Sequence, residues 1–142
     1  MTPALHDIAR ALVAEPAWRW MPGMLASSGA GSYRIIEVWP SAGRLQVAKS
    51  LRGKRVVGEV LDGGHLLPNL TDPATLGCIL ALVREASRTP TLHMLPQSWR
   101  GEVRWRVASA RVVVGGELPS EAAALLAALR ACPAPVTAEE VP

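Results

Sequence analysis

The chain has 142 residues, the length of one domain, and a chain of this size can bury roughly two thirds of the surface it exposes when unfolded, so no disulfide or metal staple is required. Hydrophobic residues make up 49% of it but aromatic ones only 4%, with five Trp, one Tyr and no Phe, which predicts a core of Leu, Val, Ile and Ala. With a net charge of +3, apolar runs far short of the ~20 residues of a membrane span, and no basic-then-apolar leader, the sequence argues against a membrane helix and predicts a soluble, unexported, cytoplasmic protein.

In chain order, Thr2-Pro3 places a cap and a first-turn proline before Leu5, Ile8 and Leu12, which predicts a first helix ended by Pro16. The segment from Ala17 to Ser32 has no sustained period and reads as a long loop. Trp18, Trp20, Met21 and Met24 within it are too apolar to lie free in water, so they cover the core or meet a partner, with core cover favoured. An apolar, Trp-bearing loop of this kind also suits a homodimer.

From Tyr33 the period becomes two. Y-R-I-I-E-V-W predicts a strand with Ile36 and Val38 on one face and Tyr33, Ile35 and Trp39 on the other. A turn at 40–43 leads into R-L-Q-V-A-K, with Leu45 and Val47 inward and Arg44 and Gln46 outward. R-V-V-G-E-V-L follows a second turn, and Asp62-Gly63-Gly64 makes a third. Short strands joined by tight turns predict an antiparallel meander that needs a cover on one face.

That cover is the clearest helix in the chain. Asp72 before Pro73 is the cap-then-proline signature, and Leu76, Ile79, Leu80 and Val83 form one apolar stripe. Gly77 inside this helix is expected to mark the close approach of another backbone. After it, T-L-H-M-L-P-Q-S-W reads as irregular or extended, and E-V-R-W-R-V-A-S from Glu102 alternates as a half-buried strand. A second strand is expected over 110–114, Gly115-Gly116 breaks it, and Ser120 caps a last helix with Leu125, Leu126 and Leu129 as its stripe. The reading is therefore one α+β domain over 1–132: an antiparallel β-meander of about four to five strands packed on a central helix, with helices at both ends and a disordered tail at 133–142.

The stretch L-P-N-L-T-D-P-A-T-L-G-C-I-L-A-L-V-R-E-A resembles small uncharacterised proteins of bacteriophages and prophages of high-GC bacteria. So do the opening P-A-L-H-D-I-A-R-A-L-V-A-E-P-A-W-R-W-M-P-G-M and the Gly, Ser-Glu-Ala, Leu/Ala-helix run from Gly116 to Ala131. The likeness covers about half the chain, and departs from that pattern at Asn69, where it has Asp, and at Ser87, where it has Trp. It carries no chemistry of its own. What it implies is a phage neighbourhood, a bacterial cytoplasm, and a role in binding a host or defence component.

Candidate chemistry is sparse. His6, His65 and His93 lie in different elements without the spacing of a metal site, and Asp62-Gly63-Gly64-His65 is explained by its turn. Cys78 and Cys132 fit reduced buried thiols. No catalytic or phosphate-loop motif is present, so an enzyme ranks third and no cofactor is implied. Charge is more informative. Residues 33–61 hold six basic side chains against two acidic, and residues 99–111 four against one. Candidate binding residues are therefore Arg34, Arg44, Arg52, Arg55, Arg104 and Arg106, with Trp18, Trp20 and Trp39 as stacking partners. Two classes of function remain: a non-enzymatic binding protein taking a host or defence protein or a small nucleotide-like anion, and a nucleic-acid-binding module using the basic sheet face. Arg on a half-exposed sheet is also ordinary solvated surface.

Overall fold

The computed structural model describes residues 1–29, 31–39, 44–51, 54–61 and 66–132. The expected turns at 40–43 and 62–65, Arg52 and the tail from 133 lie outside them. The fold is α+β, and the described residues form an antiparallel five-stranded sheet, a three-stranded sheet and three helices. No described helix is long and apolar enough to cross a membrane. The chain divides into two compact units, one of residues 1–10 and 19–78, the other of residues 11–18 and the chain from Ile79.

In the first unit, Thr2 opens helix α1 (Pro3–Val13) as expected, its hydroxyl accepting from the Leu5 amide at 3.3 Å. Strands β1 (Leu25–Ser28), β2 (Gly31–Trp39), β3 (Arg44–Leu51), β4 (Lys54–Leu61) and β5 (Leu67–Pro68) form a sheet in the order β4-β3-β2-β1-β5. Leu45 and Val47 point inward as their alternation predicts, 1% and 3% exposed. The face assignment of β2 needs correction. A bulge between Ile35 and Glu37 takes Ile36 out of register, so Ile35 lies opposite Val47 and Val38 opposite Leu45, on one shared inner face.

The expected loop at 17–32 also holds structure, because β1 and the start of β2 pair from Leu25↔Arg34 to Ser28↔Gly31. Its small residues hide it: Ala26 is fully buried between two neighbouring strands, where little more would fit. Trp20 and Met24 are core, 6% and 0% exposed. Helix α2 (Pro73–Ser87) begins in this unit. Gly77 is exposed there, and no described residue lies within 4 Å of where its Cβ would be, so none of them makes the expected close backbone approach.

In the second unit the stretch read as irregular is strand β6 (His93–Trp99). Pro96 obscured it, but β6 is an edge strand, where a missing N–H is tolerated. It pairs with β7 (Glu102–Ala108) through seven consecutive residue pairs, and β7 pairs with β8 (Val113–Leu118) only at Trp105, Val107 and Ala108. Gly115 and Gly116 do not end β8; at φ 86° and 97° they carry its irregular register. Gly115 is required, because a Cβ there would stand 2.7 Å from the Ala127 carbonyl carbon and the Ala128 nitrogen of helix α3 (Glu121–Ala131). Ser120 caps α3 as predicted, accepting from the Ala123 amide at 3.1 Å, and Leu125, Leu126 and Leu129 are buried.

Candidate binding surfaces

The cap of α2 is part of a wider polar network. Asp72 Oδ2 accepts from the Thr75 amide at 3.0 Å and the Thr75 hydroxyl at 2.8 Å. Arg34 closes on the same carboxylate with two bonds, Nη1 to Oδ2 at 2.6 Å and Nη2 to Oδ1 at 3.1 Å, and Nη1 also donates to the Gly23 carbonyl at 2.9 Å. Thr75, fully buried, accepts from the Leu25 amide at 2.8 Å through the hydroxyl it donates to Asp72. Both Asp72 carboxylate oxygens and both Arg34 Nη groups are thus used at this helix start.

The Arg34 hydrogen bond holds the Asp72 carboxyl below the usual carboxylate range, its effect exceeding the opposing one of burial. The Asp72 bond likewise raises the Arg34 guanidinium. Nearby, Cys78 points its thiol at the Pro22 carbonyl, 3.7 Å away, and burial pushes its pKa up. Asn69 accepts from the Thr71 amide at 3.0 Å and its hydroxyl at 2.6 Å, a turn-forming role that the Asp of the resembling pattern would fill equally. The region is a structural clamp.

The basic candidates do not share one face. Arg34, Arg44 and Arg55 belong to the five-stranded sheet, Arg104 and Arg106 to the three-stranded one, and Arg52 lies outside the described residues. Arg34 is committed to Asp72, and Arg44 faces Glu59 at 3.6 Å with both side chains about half exposed. Arg55 is exposed on β4, and Arg104 on β7. Arg106 is half-buried and its Nε is buried without a hydrogen-bond partner. Of the tryptophans, Trp20 is core, Trp18 half-buried, and Trp39 half-buried with its Nε1 donating to Glu37 at 3.1 Å. Among the described residues no three His, Cys, Asp or Glu gather as a metal site would need.

Two surfaces that basic-residue counting missed stand out instead. The first is the outer half of the β6–β7 ribbon. Arg100 at φ 49° and Gly101 at φ 83° make its tip, the two positive angles that match a hairpin turn to strand twist. Between this tip and the end of β8, the ribbon is two strands wide. In that part Gln97, Ser98, Glu102, Arg104 and Val103, 51% exposed, face water, and Leu95, 37% exposed on the opposite face from Val103, lies just inside it, opposite Arg106. A strand pair open on both faces buries too little to be stable alone. The second is the β4 edge, with Val56 47% and Val57 52% exposed. An open groove of about 590 Å³ also runs between β8 and α3, floored by Leu118, Ala123, Leu126 and Ala127, with Arg130 at its rim donating to Glu15 at 2.9 Å.

Compared with protein-family models, with curated proteins and with solved structures, the chain matches none.

Proposed function

We propose that this chain is a non-enzymatic binding protein that takes a protein partner on the outer half of its β6–β7 ribbon, and that the partner is a host or defence component of the bacterium its phage infects. The observation that carries the reading is the exposure of apolar side chains, Leu95 and Val103, on opposite faces of the β6–β7 hairpin, Val103 where the hairpin is only two strands wide. A partner that covers them removes apolar surface from water and orders a segment that has little packing of its own. A phosphate ligand on the five-stranded sheet is the weaker reading, because Arg34 and Arg44 already face carboxylates.

Nucleic acid is the second reading. Arg100, Arg104 and Arg106 against Glu102 give the same ribbon a basic excess, and a two-stranded ribbon can enter a groove. The two readings part on substitution. Leu95→Lys with Val103→Lys should abolish retention of a protein partner in pull-downs from host lysate followed by mass spectrometry, while the far-UV circular dichroism stays that of the wild type. If instead duplex or single-stranded oligonucleotides bind, with an affinity that falls steeply with salt and with Arg104→Glu, the ribbon reads nucleic acid. Equal retention by wild type and lysine variant refutes the protein reading.

A further inference from the structure

Each of the two sheets has two edge strands, and three of those four edges carry a device that discourages pairing with another strand. β5 is two residues long and ends in a buried proline, β6 contains Pro96, and β8 is broken by the irregularity at Gly115-Gly116. β4 has none of these. Its eight residues pair with β3 without interruption from Leu51↔Lys54 to Arg44↔Leu61, it contains no proline, and residues 54–59 are exposed. A long, regular, exposed edge with apolar side chains on both faces is a template for another strand.

We propose that β4 pairs antiparallel with β4 of a second copy of this chain, about a two-fold axis at Val57. The parity of antiparallel pairing and the placement of charge along β4 select that occupant and register. In an antiparallel pair, residues directly opposite both turn their N–H and C=O groups toward the neighbour or both away, so in a symmetric pair only residues an even number of positions apart can face each other. Among the registers this permits, the one centred on Val57 retains residues 54–60 of each strand. It alone sets opposite charges face to face, Arg55 against Glu59 of the second copy and Glu59 against Arg55 of the second copy, while Val56 meets Gly58 and Lys54 meets Val60. Shifting the axis to Gly58 sets Glu59 against Val57, and shifting it to Val56 sets Arg55 against Val57, so neither makes an ion pair. Arg55, Val57 and Glu59 lie on one face of β4, opposite Ser50, Ala48 and Gln46 of β3, and the Arg44 guanidinium 3.6 Å from Glu59 leaves that carboxylate half exposed.

The experiment is sedimentation equilibrium of the full chain from micromolar to several hundred micromolar, with charge variants. Wild type should show a reversible monomer–dimer equilibrium. Arg55→Glu and Glu59→Arg should each weaken it about tenfold, since either change sets like charges opposite each other twice per dimer. Arg55→Glu with Glu59→Arg together should restore dimerisation to within about threefold, because the swapped charges again face each other in this register. Both positions changed are solvent-exposed, and circular dichroism should confirm an unaltered fold. A wild type that is monomeric throughout overturns the proposal, as does a dimer indifferent to the single variants or one that the double variant fails to restore.

Discussion

Replacing Gly115 by Ala should be the most damaging single-methyl change in the β8–α3 region. The added Cβ would lie 2.7 Å from both the Ala127 carbonyl carbon and the Ala128 nitrogen and 3.0 Å from the Ala127 oxygen, where non-bonded atoms prefer about 3.5–4 Å. All three are backbone atoms inside a helix, so no side chain can rotate away; β8 or α3 must shift by close to 1 Å. Overpacking of this kind costs about 1–3 kcal/mol, and a residue other than glycine at φ 86° adds about 1 kcal/mol. The sum is about 3 kcal/mol, a large part of the ~5–15 kcal/mol that a domain commonly has. Gly116→Ala is the matched control. It has the same sign of φ, 97°, but open space around its Cβ, so it should lose only about 1 kcal/mol. Urea unfolding by circular dichroism gives the two differences, and amide exchange at Leu125 and Leu129 localises them to α3. If the stability of Gly115→Ala falls within about 0.5 kcal/mol of that of Gly116→Ala, β8 does not approach the α3 backbone this closely.

Gly77→Ala should stabilise the protein by about 0.5–1 kcal/mol, since the residue is exposed within α2 and its Cβ meets nothing; a loss of stability in thermal or urea melts would mean that the glycine is needed. Thr75→Val keeps the shape but leaves the Leu25 amide without its 2.8 Å acceptor, which should cost about 1–3 kcal/mol in the same melts. The folded pKa of Asp72 lies below its unfolded value of about 3.8, so its contribution is complete above that value and lost as pH falls through the folded pKa; Asp72→Asn should flatten urea midpoints over that acid window. Because the Arg34 side chain is 41% exposed, solvent screening keeps this contribution modest.

The parts of the fold written in local chemistry were legible. Asp72-Pro73 and Ser120 each announce a helix within four residues, and the Leu45, Val47 alternation announces an inner sheet face. What sequence order could not give was which distant groups meet. Asp72 reads as a cap, yet its bidentate partner is 38 positions away, so Arg34 was grouped with free basic residues when it is already neutralised. Arg104 looked like part of the same basic surface because strands look alike in sequence, whereas it lies in a different sheet. Tolerated exceptions concealed other elements: Pro96 on an edge strand, Ala26 in a crowded interior strand, and the extra residue at Ile36 that reversed the faces of β2. The exposed ribbon left only the faint signal of Arg100-Gly101 between two alternating runs.

The clamp at the start of α2 also separates events in time. Its local arm, Asp72 to Thr75, closes over three residues and can form as soon as the helix nucleates. Its other arms reach back 38 residues to Arg34 and 50 to Leu25, and such loops close only after a search that the helix by itself does not shorten. The helix therefore starts with one end tied and waits for the sheet. Substitutions that weaken the local cap should slow folding, whereas Arg34→Met, which leaves that cap in place, should act chiefly by speeding unfolding. The same carboxylate thus joins a contact that closes over three residues to one that closes over 38.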